Sequence, residues 1–181
     1  MPPKPKRIPR PRTSAPKPVA PPALPPGLDA FDIRILAELQ ADARLTNAEL
    51  AERVGLSAAP CWRRVRRLEQ DGFILGYRAE LDRRKLGLGV TAFVRVDAEN
   101  MGETTQRLGR AISALPQVIA CHYISGAGTF ELTVVSTDLE AFSQFAQQLI
   151  NMRGIKDIHS SFSLGEVKSQ AAVPLEHLPQ K

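Results

Sequence analysis

The sequence contains no hydrophobic run long enough to cross a membrane as a helix. No stretch of about 18 consecutive apolar residues occurs in the 181-residue chain, which excludes a transmembrane helix. The N-terminal stretch also lacks the apolar segment of a secretory signal, so we expect a cytoplasmic protein without a membrane partner.

Cysteines and catalytic signatures are also scarce. The two cysteines, Cys61 and Cys121, form no C-x-x-C pair, so we expect buried free thiols rather than a disulfide framework or a zinc site. No Walker loop, nucleophile–base–acid pattern or metal-ligand spacing occurs, and His122, His159 and His177 are scattered. We therefore expect a protein that is not an enzyme and binds no cofactor or metal.

Positive charge and proline are concentrated at one end. The chain has a net charge of +5 and 15 prolines, and residues 1–27 hold 11 of these prolines, six basic side chains and no acidic one. We expect this segment to be extended and disordered, either as a basic arm on DNA phosphates or as a solvated tail. The rest of the chain carries 18 basic and 19 acidic side chains, so DNA binding there has to be inferred from local clusters.

Helical periodicity begins at Leu28 and predicts three helices. Asp29 is a candidate N-cap for the first helix, and the capping box Thr46–Glu49 opens the second. Gly55 tolerates a positive φ and predicts the turn that ends the second helix. A third helix, with Ser57 as its N-cap, is predicted to continue to about residue 70. This spacing indicates a helix-turn-helix.

The third helix carries four arginines within five residues. At 100° per residue, Cys61, Val65 and Leu68 form its buried stripe, and Arg63 and Arg66 lie on the opposite side as the best DNA-facing candidates. Arginine can read guanine or clamp a phosphate. The residues predicted to bind DNA are Asn47, Ser57, Ala58, Ala59, Trp62, Arg63, Arg66 and Arg67.

Other interpretations apply to individual positions of this helix. Arg64 lies close to the buried edge, so we expect it to anchor the helix through an internal carboxylate. Trp62 can pack on a sugar edge or cover the hydrophobic core. For the arginines as a group, the alternative is a solvated helix face paired with Glu69 and Asp71.

The second half of the chain has a different pattern. A short strand or wing at Ile74–Leu81 leads to a hinge around Arg83–Gly89, and the element order that follows is βαββαβ. This order predicts an α+β fold with a ferredoxin-like sandwich. Met101 and Leu139 are among the inward positions of its helices. The predicted elements are strand Val90–Asp97, a helix from Asn100 to Pro116, strands Val118–Ser125 and Phe130–Ser136, a helix from the capping box Thr137–Glu140 to Gly154, and strand Ile155–Leu164.

Taken together, these segments resemble the Lrp/AsnC (feast/famine) family of regulators. The resemblance extends from Leu28 to about Lys168. It is most specific in the first half and rests on element order in the second. The segments that carry it are Leu28–Asp32, Ile35–Leu36, Arg44–Asn47, Leu50–Ser57, Cys61–Glu69, Gly72–Ile74 and Gly76–Tyr77.

The resemblance implies a sequence-specific, DNA-binding transcription regulator modulated by an amino acid or a related small effector. It further implies homodimers, often homo-octamers, that bind double-stranded DNA in association with the nucleoid. The implied domains are a disordered tail at 1–27, a (winged) helix-turn-helix domain at 28–89, a ferredoxin-like effector-binding and dimerisation domain at 90–168, and a C-terminal tail at 169–181.

One segment departs from the family pattern. The family's effector loop commonly reads Gly-Asp-x-Asp before an aromatic residue, and here Ala127 and Thr129 replace both acids. Backbone amides at the glycines can still approach a carboxylate, but a ligand's ammonium group has no obvious partner in the loop. Three alternatives remain open. Glu131 or another residue binds the ammonium group, the effector is a different molecule or is absent, or the glycines only form a hairpin turn. The residues predicted to bind the effector are Gly126, Ala127, Gly128, Thr129 and Phe130.

Two other functions are compatible with the architecture. Siroheme decarboxylases are similar in architecture, but residues 28–89 contain no histidine and keep the basic helix face, which favours DNA binding. An architectural protein would compact DNA without an effector, and binding preference distinguishes it, since such a protein binds most duplexes similarly.

Overall fold

The structure is a computed structural model that describes residues 27–99, 103–126, 128–168 and 172–178. These residues form two compact units, which divide between Tyr77 and Arg78. The first unit contains residues 27–77 together with 172–178, and the second contains the described residues from 78 to 168. The predicted domain boundary at Gly89 lies further along the chain. Most of the predicted basic tail and the predicted positions Met101 and Ala127 lie outside the described residues.

The first unit contains three helices: α1 (Ala30–Ala41), α2 (Asn47–Val54) and α3 (Ala58–Gln70). Capping boxes open α1 and α2, because Asp29 and Thr46 each accept from the backbone amide three residues on while the acidic side chain there accepts from the cap. Gly55 ends α2 in the left-handed conformation with φ of 74°. The predicted helix-turn-helix is confirmed.

One apolar cluster holds the three helices together. Ile35 of α1, Leu50 and Val54 of α2, and Cys61 and Leu68 of α3 are almost completely buried in it. Burial raises the pKa of the Cys61 thiol above its usual 9.0, outweighing the nearby positive charge of Arg64. Cys61 is therefore a protonated, free core thiol.

The predicted wing at residues 74–81 does not form a strand. Residues 74–77, the start of the predicted wing, form no regular element, and neither do residues 78–81 of the second unit. Among the described residues, Val90–Ala98 is the first strand. Strand structure requires a neighbour to pair with, and these eight residues have none in the described part of the chain.

The segment 172–178 belongs to the first unit and contacts α1. The backbone N–H of Val173 donates to Gln40 Oε1 at 2.6 Å, and the Val173 carbonyl accepts from Gln40 Nε2 at 3.2 Å. Leu178 in the same segment is buried.

The second unit is an antiparallel sheet with two helices. Its elements are β1 (Val90–Ala98), α4 (Glu103–Ser113), β2 (Val118–Tyr123), β3 (Phe130–Ser136), α5 (Leu139–Ile150) and β4 (Ile155–Phe162). The strand order is β2-β3-β1-β4, which with the βαββαβ order is the predicted ferredoxin-like arrangement. The α+β fold class is confirmed. No helix in the described ranges has the length and apolarity that a membrane crossing needs.

The core of this unit lies between one sheet face and the helices. Alternate residues of β1 (Ala92, Val94 and Val96) are fully buried there, and Ile112 of α4 and Leu149 of α5 pack in the same cluster. Residues two apart share a face of a strand, so the intervening residues of β1 lie on the opposite, more open face.

Helix α5 starts differently from the prediction. Asp138, not Thr137, is the N-cap: its carboxylate accepts from the Ala141 amide at 2.8 Å, and the Thr137 hydroxyl donates to that carboxylate. The prediction that Leu139 faces inward is wrong, since it is 62% exposed. At 100° per residue, Leu139 lies at the flank of the stripe that contains Phe142 and Leu149.

Candidate nucleic-acid interface and effector loop

The first turn of α3 is open to solvent. Ser57 occupies the N-cap position, but its side chain makes no capping hydrogen bond, and Ser57, Ala58 and Ala59 are all exposed. Pro60 in this turn has no N–H, which leaves the amides of Ala58 and Ala59 as available donors. An exposed helix N-terminus of this kind attracts a phosphate group.

Asn47 makes a hydrogen bond within the helix-turn-helix. Its side-chain amide donates to the carbonyl oxygen of Ala58 at 2.9 Å, which joins the start of α2 to the start of α3. The sequence predicts Asn47 as a DNA-binding residue, and the structure places it in this internal hydrogen bond at the edge of the exposed turn.

Two of the four arginines of α3 are directed at α1. Arg64 Nη1 donates to Asp29 at 2.7 Å and to Asp32 at 2.9 Å, and Arg67 donates to the other oxygen of Asp32. The Asp32 side chain is completely buried, and the Asp29 amide also donates to it at 2.9 Å. The expectation for Arg64 is met, whereas Arg67, predicted to face DNA, is paired with a carboxylate that sequence reasoning missed.

The ion pair at the start of α1 also affects the titration of Asp29. Burial alone would raise its pKa, but hydrogen bonds from the Asp32 backbone and from Arg64 outweigh burial and hold the pKa below the usual 3.8. The pKa is lowered on folding, so this carboxylate stabilises the fold above a pH of about 4, and the contribution is lost as the pH falls further.

The other two arginines face away from the core. Arg63 is exposed and forms no ion pair or hydrogen bond with any residue that the structure describes. The Arg66 guanidinium lies over the Trp62 ring, 5.6 Å from its centroid, and Nη1 is 3.3 Å from Glu69 Oε2. Trp62 is 53% exposed and is not among the residues of the buried apolar cluster. This face presents one uncommitted and one held guanidinium beside an aromatic ring and an open helix end.

In the second unit, the predicted effector loop connects β2 and β3. Gly126 and Gly128 have φ values of 102° and 94°, which side-chain-bearing residues rarely adopt. Thr129 is buried, and its amide and hydroxyl are both hydrogen-bonded to β1. The amide donates to the Val96 carbonyl at 2.7 Å, and the hydroxyl accepts from the Ala98 amide at 3.0 Å. Thr129 therefore holds the loop against β1.

Two charged side chains of β1 lie beside Gly128. A Cβ on Gly128 would lie only 2.5 Å from Arg95 Cγ, which is too close, and 3.5 Å from Asp97 Oδ1, which is an ordinary contact. Together with the positive φ, the approach to Arg95 favours glycine at this position. Sequence reasoning missed both residues. Their alternation in β1, on the face opposite Val94 and Val96, is the signal that identifies them.

The remaining predicted effector residue is a core residue. Phe130 is buried in the apolar cluster, and its ring meets that of Tyr123 edge to face at 5.8 Å.

His159 lies beside two carboxylates of the sheet. Its Nε2 is 3.5 Å from Asp157 and 3.9 Å from Asp97. Within the described ranges, no three His, Cys, Asp or Glu side chains lie close enough together to hold a metal ion.

Two protein-family models match this architecture. A model described as "Winged helix-turn-helix DNA-binding" matches residues 28–74. A model described as "Lrp/AsnC ligand binding domain" matches residues 91–173. The first match lies within the first unit, and the second covers most of the second unit and extends to residue 173.

Full-length relatives match in both units. The DNA-binding transcriptional activator DecR of Escherichia coli is 35% identical over 151 residues, which are 82% of this chain and 99% of DecR. The leucine-responsive regulatory protein of Rhizobium meliloti is 39% identical over 82% of this chain and 96% of that protein. A transcriptional regulator from Neisseria meningitidis, solved as a complex with L-Met, superposes with a TM-score of 0.79 at 38% identity, over 83% of this chain and 98% of that one.

Proposed function

The chain belongs to the Lrp/AsnC family of DNA-binding transcription regulators, and we propose that it recognises its operator through the face of α3 that carries Arg63 and Arg66. The start of α3 enters the major groove in this arrangement, as the recognition helix of a helix-turn-helix does. The exposed turn at Ser57–Ala59 approaches the DNA backbone, and the guanidinium groups reach base edges or phosphates.

One observation carries this assignment: Arg63 is exposed and unpaired among the described residues, while its neighbour Arg64 is bound to α1. Holding an arginine away from all carboxylates leaves its five donors free for a ligand with planar acceptors. Two arginines anchor the helix and the other two face outward. Because the anchors fix α3 in the fold, the outward pair has a defined direction.

In-vitro selection from a random pool of duplexes tests the assignment. We expect the full-length protein to enrich one recurring sequence, because specific complexes of this class exceed non-specific ones by about 10³-fold or more. The enriched duplex should bind more tightly than a scrambled duplex of the same length and composition. A pool that stays unenriched while binding remains tight would instead indicate an architectural DNA-binding protein.

The second unit is proposed to bind an amino acid or a closely related small molecule. The relative from Neisseria meningitidis was solved with L-Met, which supports an effector of this class. In this chain, Arg95 and Asp97 beside Gly128 offer a cation and a carboxylate to such a molecule. Asp97 can supply the negative charge that the loop lacks at Ala127 and Thr129.

Thermal-shift measurements with matched ligands test the effector. L-Met and other amino acids should stabilise the protein, by about 2.7 kcal/mol at 100 times the dissociation constant, whereas the keto acids that lack the ammonium group should not. The variant Asp97→Asn should reduce the response to amino acids. Equal stabilisation by keto acids would contradict ammonium recognition, and no response to any member would contradict an amino-acid effector.

The assembly and location follow from the same proposal. We assign residues 28–89 to DNA binding and 90–168 to effector binding and dimerisation, in a homodimer or octamer that acts on DNA in the cytoplasm at the nucleoid. A dimer is physically reasonable because one short helix gives a small interface, and two half-sites add affinity and register.

A further inference from the structure

A chain of contacts joins the outward face of α3 to Tyr77, which follows α3 in the same unit. Arg66 is held on two sides, by the Trp62 ring at 5.6 Å and by Glu69 Oε2 at 3.3 Å. The other oxygen of that carboxylate, Oε1, accepts a hydrogen bond from the Tyr77 hydroxyl at 3.1 Å. Both oxygens of Glu69 therefore have a partner, which fixes the orientation of the carboxylate.

Tyr77 is well suited to hold Glu69. It lies beyond α3 and is the last residue before the chain enters the second unit. A phenol is protonated at neutral pH, and partial burial and the hydrogen bond to Glu69 raise the pKa of Tyr77 further above its usual 10.0. The hydroxyl therefore remains a donor to Glu69. The four side chains of this network line a cavity of about 340 Å³ together with Leu39, Ala43, Leu45, Asn47, Leu50 and Val65.

Fixing Arg66 has an energetic consequence for recognition. A free arginine loses rotamer entropy when it is immobilised, and prior positioning reduces the part of this cost that falls on binding. Base reading depends on the plane of the guanidinium, whereas attraction to a phosphate depends mainly on its charge. Positioning therefore bears on discrimination between sequences more than on overall affinity for DNA.

We propose that Glu69 and Tyr77 are positioning residues for operator discrimination: the Tyr77 hydroxyl orients Glu69, and Glu69 with Trp62 holds Arg66 in the plane that reads a base edge. This rests on the proposed contact between Arg66 and the operator. Neither positioning residue needs to touch DNA.

A double-mutant cycle with Tyr77→Phe tests the proposal, because this change removes one hydroxyl and no charge. Full-length variants are titrated against the selected duplex and against its scrambled counterpart. In the parent background we expect Tyr77→Phe to weaken binding of the selected duplex by about 3- to 10-fold, the range of one hydrogen bond, and to leave the scrambled duplex unchanged. In the Arg66→Ala background the same change should have no effect on either duplex.

The outcomes separate this proposal from the proposed function. If Arg66→Ala leaves the selected duplex bound as tightly as before, the DNA contact of Arg66 is wrong and the positioning proposal is wrong with it. The other outcome is that Arg66→Ala weakens binding and Tyr77→Phe has the same effect in the Arg66→Ala background as in the parent. The DNA contact of Arg66 then stands, but Tyr77 acts on the fold in general and not through Arg66.

Glu69→Gln and Glu38→Gln provide a pair matched in charge. Glu38 forms another arginine–glutamate pair in the first unit, with Arg53 at 3.1 Å. Both changes remove one negative charge, so both should tighten binding to the scrambled duplex to a similar extent. Only Glu69→Gln should lower the ratio of specific to non-specific affinity, and an equal change of that ratio in both variants would overturn the proposal.

Discussion

Replacing Arg64 by alanine should lower the free energy of unfolding of the first unit by about 3 kcal/mol. Removing one partner of a buried ion pair costs about 3–5 kcal/mol, because the remaining charge stays out of water without compensation. Asp32 is completely buried, and Arg64 supplies one of its two cations. We expect the lower end of the range since Arg67 still pairs with Asp32.

Thermal or urea unfolding of the full-length variants measures this effect. A loss of about 3 kcal/mol should lower the melting temperature of a unit of this size by more than about 10 °C. Arg63→Ala, at the adjacent position, is the matched control and should leave the melting temperature unchanged. Asp32→Asn should recover part of the loss in the Arg64→Ala background, and a further additive loss would contradict the buried-pair explanation.

Replacing Arg63 or Arg66 by alanine should weaken binding to the selected duplex by about 1–3 kcal/mol, the range for a bidentate base contact. Neither change removes a buried contact, so the folded state should be unaffected. Titration at several salt concentrations measures both affinity and its salt dependence. Each lost phosphate contact reduces the log–log slope by about 0.9.

The identity of the contact can be read from a lysine substitution at the same position. Arg63→Lys keeps the charge but loses the planar fork, so it should preserve the salt slope and reduce specificity if Arg63 reads a base. Arg53→Ala is the control for net charge, because Arg53 is engaged with Glu38 on the α1 side of α2. Equal weakening by Arg53→Ala and by both outward variants would contradict a recognition role for the face of α3.

Features that depend on local chemistry could be predicted from the sequence. The capping box at Thr46–Glu49 and the left-handed Gly55 are determined within a few residues, and the alternation in β1 records which face is buried. Features that depend on a neighbour could not. Residues 74–81 have strand-like composition but no strand to pair with among the described residues, and Leu139 lies at the edge of its helix stripe.

The candidate DNA interface shows the same division. Angles around α3 give the direction of each Cβ. This direction is enough to predict that Arg63 and Arg66 face outward and that Arg64 lies near the core. An arginine side chain is long enough to turn back toward the core, however, and Arg67 does so because Asp32 is buried nearby. The spacing of Asp32 three residues after Asp29, which forms a capping box, is the signal that identifies this second acidic side chain.

The pairing of Gln40 with Val173 means that the DNA-binding unit gains its last segment late in synthesis. The ribosome synthesises Gln40 long before Val173 and the buried Leu178, and N-terminal domains generally fold as they emerge. Here the last piece of the unit is made only after the entire second unit. A nascent chain, or one clipped by a protease after residue 168, would therefore carry its helix-turn-helix without the segment that packs against α1.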